Sequence, residues 1–548
     1  MKTESRQCSL PALLFDQQGM YAVQYLHSAF NKTINLQSIQ VGIMQKKIVL
    51  FGAGKSATCL IDYLLRECAD NQWTLLLVDN NLALAQSKIG NSSVAKAVCV
   101  NVENADERSS LISDASIVIS LLPPALHYLV ATDCVAFDKN LLTASYVDNN
   151  IRKLAPSIEE KNLLFLCEMG LDPGIDHMSA MQLIDHIRDQ GGVVTSFKSH
   201  CGGLVAPESD DNPWHYKISW NPRNVLMAGK SGAIFKDHGK VQEMKYEELF
   251  DPARVIDYPE IGYLAWYPNR DSLGYISLYQ LESAETFIRT TLRYPEFCFG
   301  WKHIIDLKLT DETPQYNTNG MTLQQFFQLH FGKYGFSEWL EKQLIGKFDK
   351  TKQLLEKLMQ LMKAEESADP NERAYLKEFM MVDEEGRLED VNIAEVKTTA
   401  AATVAGQMHE ANLAMKQLFY LGMDDEITVI NKGTCSAAEV LLLALEQKLV
   451  LQQNDKDMIV MMHEIEYTVG EKDFAVKSYL TVKGEDFLRT AMAKTVGLPL
   501  GIAAKLILQG KITETGVHIP IIPSIYEPVL KELQAQGISF REKISAIG

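Results

Sequence analysis

The chain has 548 residues, 46% of them hydrophobic and 22% charged, and a net charge of −17. That length exceeds one hydrophobic core and predicts two or three domains of ordinary globular composition. The acidic balance argues against nucleic-acid and anionic-membrane partners, so an anionic ligand must meet positive charge gathered in one place.

The nine cysteines form no Cys-x-x-Cys pair and no Cys/His ligand spacing, which predicts no metal site and reduced thiols in a cytoplasm. No apolar run reads as long enough to span a bilayer; the longest, Ile117 to Ala131, is broken by Pro123-Pro124 and His127. Residues 1–45 are read as an N-terminal extension without a signal-peptide pattern. Met44 is the expected true start, and the segment before it a poorly ordered or mis-assigned addition.

In chain order, the apolar run Lys47 to Phe51 feeds Gly52-Ala53-Gly54-Lys55-Ser56-Ala57, then an amphipathic segment, then a second apolar run from Trp73 to Val78 ending in Asp79. This is the strand–turn–helix–strand order of a dinucleotide site. Gly52 permits the tight turn, Gly54 lets the backbone approach a pyrophosphate, and Ala57 allows close helix–strand packing. The helix N-terminus offers free N–H groups to phosphate. Asp79 can accept hydrogen bonds from both ribose hydroxyls and would repel a 2′-phosphate, and no arginine follows it, so NAD is favoured over NADP.

Strand–helix alternation continues. Strands are expected at Ala97 to Val102, Ser116 to Leu122, Asn140 to Ser145 and Leu163 to Cys167, with helices at Ala105 to Ser113 and Leu126 to Phe137. The fold class is therefore α/β: a Rossmann-type doubly wound parallel sheet, with a second α+β substrate domain and an inserted helical subdomain. The Rossmann domain is expected over 46–176, with a tail at about 511–548 returning to it. Residues 177–335 and 425–510 form the α+β domain and 336–424 the helical insertion. Within these, Met178 to Asp189 reads as a helix, Val193 to Cys201 as a strand, and Gly202 to about Tyr294 as a long irregular region. Phe299 to Leu309 reads as a strand region and Glu338 to Ala368 and Ala394 to Tyr420 as helices. Met458 to Val469 and Phe474 to Val482 read as a hairpin, and Ala491 to Leu508 as a small-residue helix.

Ligands of such sheets sit at the carboxyl ends of the strands. The nucleotide-facing candidates are Gly52, Ala53, Gly54, Lys55, Ser56, Ala57 and Asp79, joined from other strand ends by Asn101, Val102, Leu122, Ala144, Ser145, Leu171, Asp172 and Pro173. In Glu168 to His177, Asp176 reads as a helix N-cap, whereas Asp172 falls where a ligand would lie. Cys201 precedes Gly202-Gly203, so backbone can come close to a ligand, although a lone cysteine reads more readily as a buried packing residue. Arg270 and Arg293 lie in polar, aromatic contexts suited to gripping carboxylates; each alone also reads as a structural ion pair.

Together the segments Asn140 to Tyr146, Gly170 to His177, Cys201 to Leu204 with Ala206-Pro207-Glu208, Tyr267 to Ser272, Thr291 to Tyr294 and Met492 to Pro499 resemble the glutamate-forming saccharopine dehydrogenases, or saccharopine reductases. The resemblance runs from about Lys46 to the C-terminus and is weakest around 340–400. It implies a nucleotide-dependent oxidoreductase interconverting saccharopine with glutamate and 2-aminoadipate 6-semialdehyde. It places Tyr146, Asp172 and Cys201 near the chemistry, Ser145 at substrate or cofactor, and Arg270, Thr291, Leu292 and Arg293 in the substrate loops. Fungal biosynthetic members are built for NADP, with an arginine near the end of the second strand, where this chain has Asp79; NADP stays open by resemblance. A carboxyspermidine-type dehydrogenase and a non-catalytic nucleotide sensor are the alternatives, and a homodimer is left open.

Overall fold

The computed structural model describes residues 45–341, 380–382, 388–390, 410 and 412–547. The expected N-terminal extension, up to residue 44, lies outside them.

Six strands alternate with helices as anticipated, the first leading into the glycine turn: β1 (Lys47–Phe51), β2 (Thr74–Asp79), β3 (Ala95–Cys99), β4 (Ile117–Ser120), β5 (Leu141–Thr143) and β6 (Leu164–Leu166). All pair in parallel, and Gly516–His518 adds a seventh strand beyond β6. β1 lies between β2 and β4, so the sheet reverses its winding where the glycine turn emerges, the place where doubly wound sheets take ligands. Ile48, Val49 and Leu50 are fully buried, as expected of a strand covered on both faces.

A ten-stranded mixed sheet forms the second layer. Its centre is the long strand Val193–Val205, paired in parallel with Thr286–Arg293 and antiparallel with Asp457–Val469. The latter turns at Gly470 (φ 62°) into Lys472–Lys483, the expected hairpin. Arg541–Ile547 pairs with Lys472–Lys483, so the last strand of the tail joins this sheet while Gly516–His518 joins the first.

Several expectations need correction. The stretch from Gly202 to Tyr294 is not irregular: it holds Ala233–Asp237, Lys240–Met244, Val255–Tyr258, Gly262–Pro268 and Thr286–Arg293 as strands. Frequent Pro, Asn and Gly at their ends disguised them. Phe299 to Leu309 is not a strand but most of the helix Pro295–Asp306. Phe297, Cys298, Trp301, Ile304 and Ile305 are buried at helical spacing, and Pro295 stands at the first helical position, where its missing N–H costs nothing. Most of Glu338 to Ala368 and Ala394 to Tyr420 lies outside the described residues; between them Met380–Val382 and Leu388–Asp390 pair antiparallel.

Contrary to the reading of the apolar runs, one helix among the described residues, Ala491–Leu508, is long and apolar enough to cross a membrane, with 72% of it buried in the molecule. Its small residues bring it onto the first Rossmann helix, Thr58–Asn71. A Cβ at Gly497 would stand 2.9 Å from Leu60 Cβ, and one at Gly501 2.7 Å from Tyr63. Asp457, on the central hairpin, accepts the N–H groups of Ala491 and Met492 at 2.5 and 3.0 Å. One helix thereby ties the second sheet to the nucleotide-type fold, which fixes the two layers around the site.

Candidate active site

At the glycine turn, Gly52 has φ 103° and a Cβ there would lie 2.8 Å from Leu121 O, so only glycine fits. Its N–H donates to Val78 O at 2.8 Å. Nothing lies within 4 Å of a Cβ placed on Gly54, which leaves the space a pyrophosphate needs. Lys55 is exposed, Ser56 half-buried and Ala57 buried under the turn. Asp79 closes β2 with Oδ2 accepting from Ala53 N at 2.8 Å and Oδ1 from Asn81 N at 2.9 Å. These residues fit a dinucleotide: an open turn at a helix start, with a fixed carboxylate at ribose distance in the chain.

Of the other nucleotide-facing candidates, Leu122, Ala144, Ser145, Leu171 and Pro173 follow strand ends of the same sheet. Asn101 is exposed, its Oδ1 accepting from Glu103 N. Val102 turns its side chain into the core beside Val100 and Ile112, which leaves it no side-chain role at the nucleotide.

Two strand ends carry a polar chain that sequence reasoning missed. His127, 5% exposed, bonds Ser120 Oγ through Nδ1 at 2.8 Å and Ser145 Oγ through Nε2 at 2.7 Å. Burial pushes its imidazole down to about 4, so it is neutral and fixes the Ser145 hydroxyl.

The helix Ile175–Asp189 begins after Gly174, not at Asp176: Gly174 (φ 146°) is the cap, and its N–H donates to Asp176 Oδ1 at 2.6 Å. Asp176 is held down by His177 and Arg289 against the upward push of its burial. The expected ligand residue Asp172 stands at the same turn. Burial pushes its carboxyl up to about 6, against the pull of Arg289.

Arg289 is the residue the sequence reading overlooked. Its Nη2 donates to Asp172 Oδ1 at 2.6 Å and Asp176 Oδ2 at 2.8 Å, and its guanidinium lies 4.4 Å from the Tyr275 ring centroid. Arg289, Thr291 and Arg293 alternate along one strand and so share a face. Thr291 is the register partner of Cys201, which places the thiol in the same row. Burial, with Asp172 next in weight, raises Cys201 well above the ordinary thiol value. Tyr146 is also raised, by burial and then by Asp172, so both keep their protons at neutral pH.

Leu292 faces the other way. It is buried with Leu204, Tyr258 and Leu264 behind the strand, because a strand turns successive side chains to opposite faces, and so it offers the site only backbone. Arg293 is 5% exposed; its Nη1 donates to Leu292 O at 2.8 Å, while its Nε has no partner. Arg270, exposed and at φ 54°, leans 5.4 Å from the Tyr146 ring centroid. Among the described residues neither Arg270 nor Arg293 has a carboxylate partner.

Residues 170–538 match the family described as the saccharopine dehydrogenase C-terminal domain, and residues 48–166 that described as the saccharopine dehydrogenase NADP binding domain. This chain belongs to the saccharopine dehydrogenase family. A saccharopine dehydrogenase [NADP(+), L-glutamate-forming] of Saccharomyces cerevisiae is 30% identical over 92% of this chain and 100% of its own length. An alpha-aminoadipic semialdehyde synthase of Arabidopsis thaliana is 31% identical over 91% of this chain, which spans only 45% of that relative. The apo structure of the yeast L-Glu-forming saccharopine dehydrogenase superposes with TM-score 0.71 and 27% identity, covering 91% of this chain and all of that one. The Rossmann-type sheet with its second mixed sheet is thus the architecture of the saccharopine dehydrogenase family.

Proposed function

We propose that this chain is an NAD(P)-dependent oxidoreductase acting on the CH–NH group of saccharopine, interconverting it, with water, with glutamate and 2-aminoadipate 6-semialdehyde. One observation carries the reading. Arg270, exposed beside the Tyr146 ring, and Arg293, buried against the Tyr216 and Phe297 rings, have no carboxylate partner among the described residues, whereas Arg289 is spent on Asp172 and Asp176. A buried guanidinium without an anion is costly, and a substrate with three carboxylates supplies what is missing. A carboxyspermidine-type substrate, poorer in carboxylates and richer in amines, fits this pair worse.

The bound nucleotide supplies hydride transfer. Asp172, able to change protonation near neutral pH, takes up the proton of the substrate's secondary amine in the oxidative direction. Tyr146 and Cys201, both protonated, hold the water that completes hydrolysis. Asp79 supports NAD in preference to NADP, against the cofactor named for the yeast relative. The test is absorbance of reduced nucleotide on adding saccharopine with either NAD or NADP. Saccharopine-dependent reduction is expected, and its absence with both overturns the proposal.

A further inference from the structure

Glu168 stands just past β6, 4% exposed and with φ 57°. A non-glycine residue in the left-handed region is uncommon, and such strain gathers where function over-determines the backbone. Its contacts form two sets. Its N–H donates to Ser145 O at 3.1 Å and its Oε1 accepts from Val147 N at 3.2 Å, so Glu168 brackets Tyr146 from both sides along the chain. Its Oε2 accepts from the Tyr275 hydroxyl at 3.0 Å and meets His177 Nε2 at 2.9 Å. Tyr275 is the ring over which Arg289 lies, and Arg289 holds Asp172. His177 is anchored in turn by the Tyr279 hydroxyl, 2.6 Å from its Nδ1.

We propose that Glu168 is a positioning residue for the reaction: its one carboxylate sets Tyr146 through the neighbouring backbone and Asp172 through Tyr275 and Arg289. Both groups are thereby aligned on the reacting carbon–nitrogen bond, an inference that rests on the function proposed above. The chemistry calls for a carboxylate because the Val147 N–H donates to one of its oxygens and the Tyr275 hydroxyl to the other, beside His177 Nε2. A glutamine at this position offers one acceptor oxygen, and its amide N–H groups would face donors. It therefore releases either the Val147 N–H or the Tyr275 hydroxyl, while the main-chain bond to Ser145 stays.

The test is Glu168→Gln in the full chain, comparing kcat, the KM for saccharopine, the thermal midpoint and the Kd for reduced nucleotide from its fluorescence. Misalignment predicts a kcat per nucleotide-binding site lower by about 10- to 100-fold, with nucleotide Kd within about twofold of the parent. A folded variant with kcat within about threefold of the parent, or with nucleotide Kd weakened by the same factor as kcat, overturns the inference. If Glu168→Gln does not fold, Tyr275→Phe keeps the ring under Arg289 and removes one donor. A kcat lower by about fivefold at unchanged nucleotide Kd is then expected, and unchanged kcat overturns it. A parent protein with no saccharopine turnover overturns the proposed function and this inference together, whereas an active parent with an unaffected variant overturns the inference alone.

Discussion

Arg289 holds Asp172 across the boundary between the two sheets, Nη2 to Oδ1 at 2.6 Å. The arginine comes from the second sheet and the aspartate from the turn after β6, and the same guanidinium reaches Asp176 at 2.8 Å. Both layers are tied together at the point where the proposed chemistry lies.

Arg289→Met should destabilise the protein by about 3–5 kcal/mol, because two buried carboxylates lose their partner. The loss should shrink in acid. Without Arg289 the folded carboxyls bind protons more tightly than the unfolded ones, so their contribution to stability is present at low pH and falls as pH rises. Urea unfolding at pH 7.5 and pH 5 measures the difference; an equal loss at both would contradict it.

On the proposed function, Asp172 should set the acid limb of the oxidative reaction. With its carboxyl pushed up to about 6 by burial, kcat/KM should rise with pH through about 6 as the carboxylate forms. The stability sign is opposite. A folded value above the unfolded 3.8 gives stability that is present below about 4 and is lost as pH rises to about 6. Asp172→Asn should lower kcat and abolish the limb. A limb that persists unchanged in that variant would assign it to another group.

Much of the nucleotide half was legible because its signals are local. The glycine turn, the acid after the second strand and the alternation of strands and helices all fall within short windows. The second half was not. Arg289 was passed over because its strand was read as the end of an irregular region, although Phe287, Arg289, Thr291 and Arg293 alternate with period two. His127 stood in the sequence only as a break in an apolar run. Its role depends on Ser120 and Ser145 meeting at adjacent strand ends. Glu168 and Tyr275 are 107 positions apart, so only the tertiary fold brings them together. Leu292 was chosen with its neighbours, and the pleat of the strand turned it away.

Arg270→Ala should raise the KM for saccharopine by about 10- to 100-fold, the worth of one charge-assisted hydrogen bond of roughly 1.5–3 kcal/mol. The nucleotide KM should stay within about twofold. Steady-state kinetics in each substrate separate the two, and equal effects would remove Arg270 from the substrate site.

Asp79→Ala should lower the ratio of kcat/KM with NAD to that with NADP by about fivefold or more, about 1 kcal/mol of lost hydrogen bonding. Part of any common loss comes from the turn, since Asp79 also fixes Ala53 N. The ratio isolates the ribose contact, and an unchanged ratio refutes it.

The most direct measurement is the stoichiometry of the oxidative reaction with the unaltered protein, saccharopine and either nucleotide. One glutamate should be released for each nucleotide reduced, with the semialdehyde trapped in equal amount. Reduced nucleotide without glutamate, or no reduction at all, would contradict a site built for saccharopine.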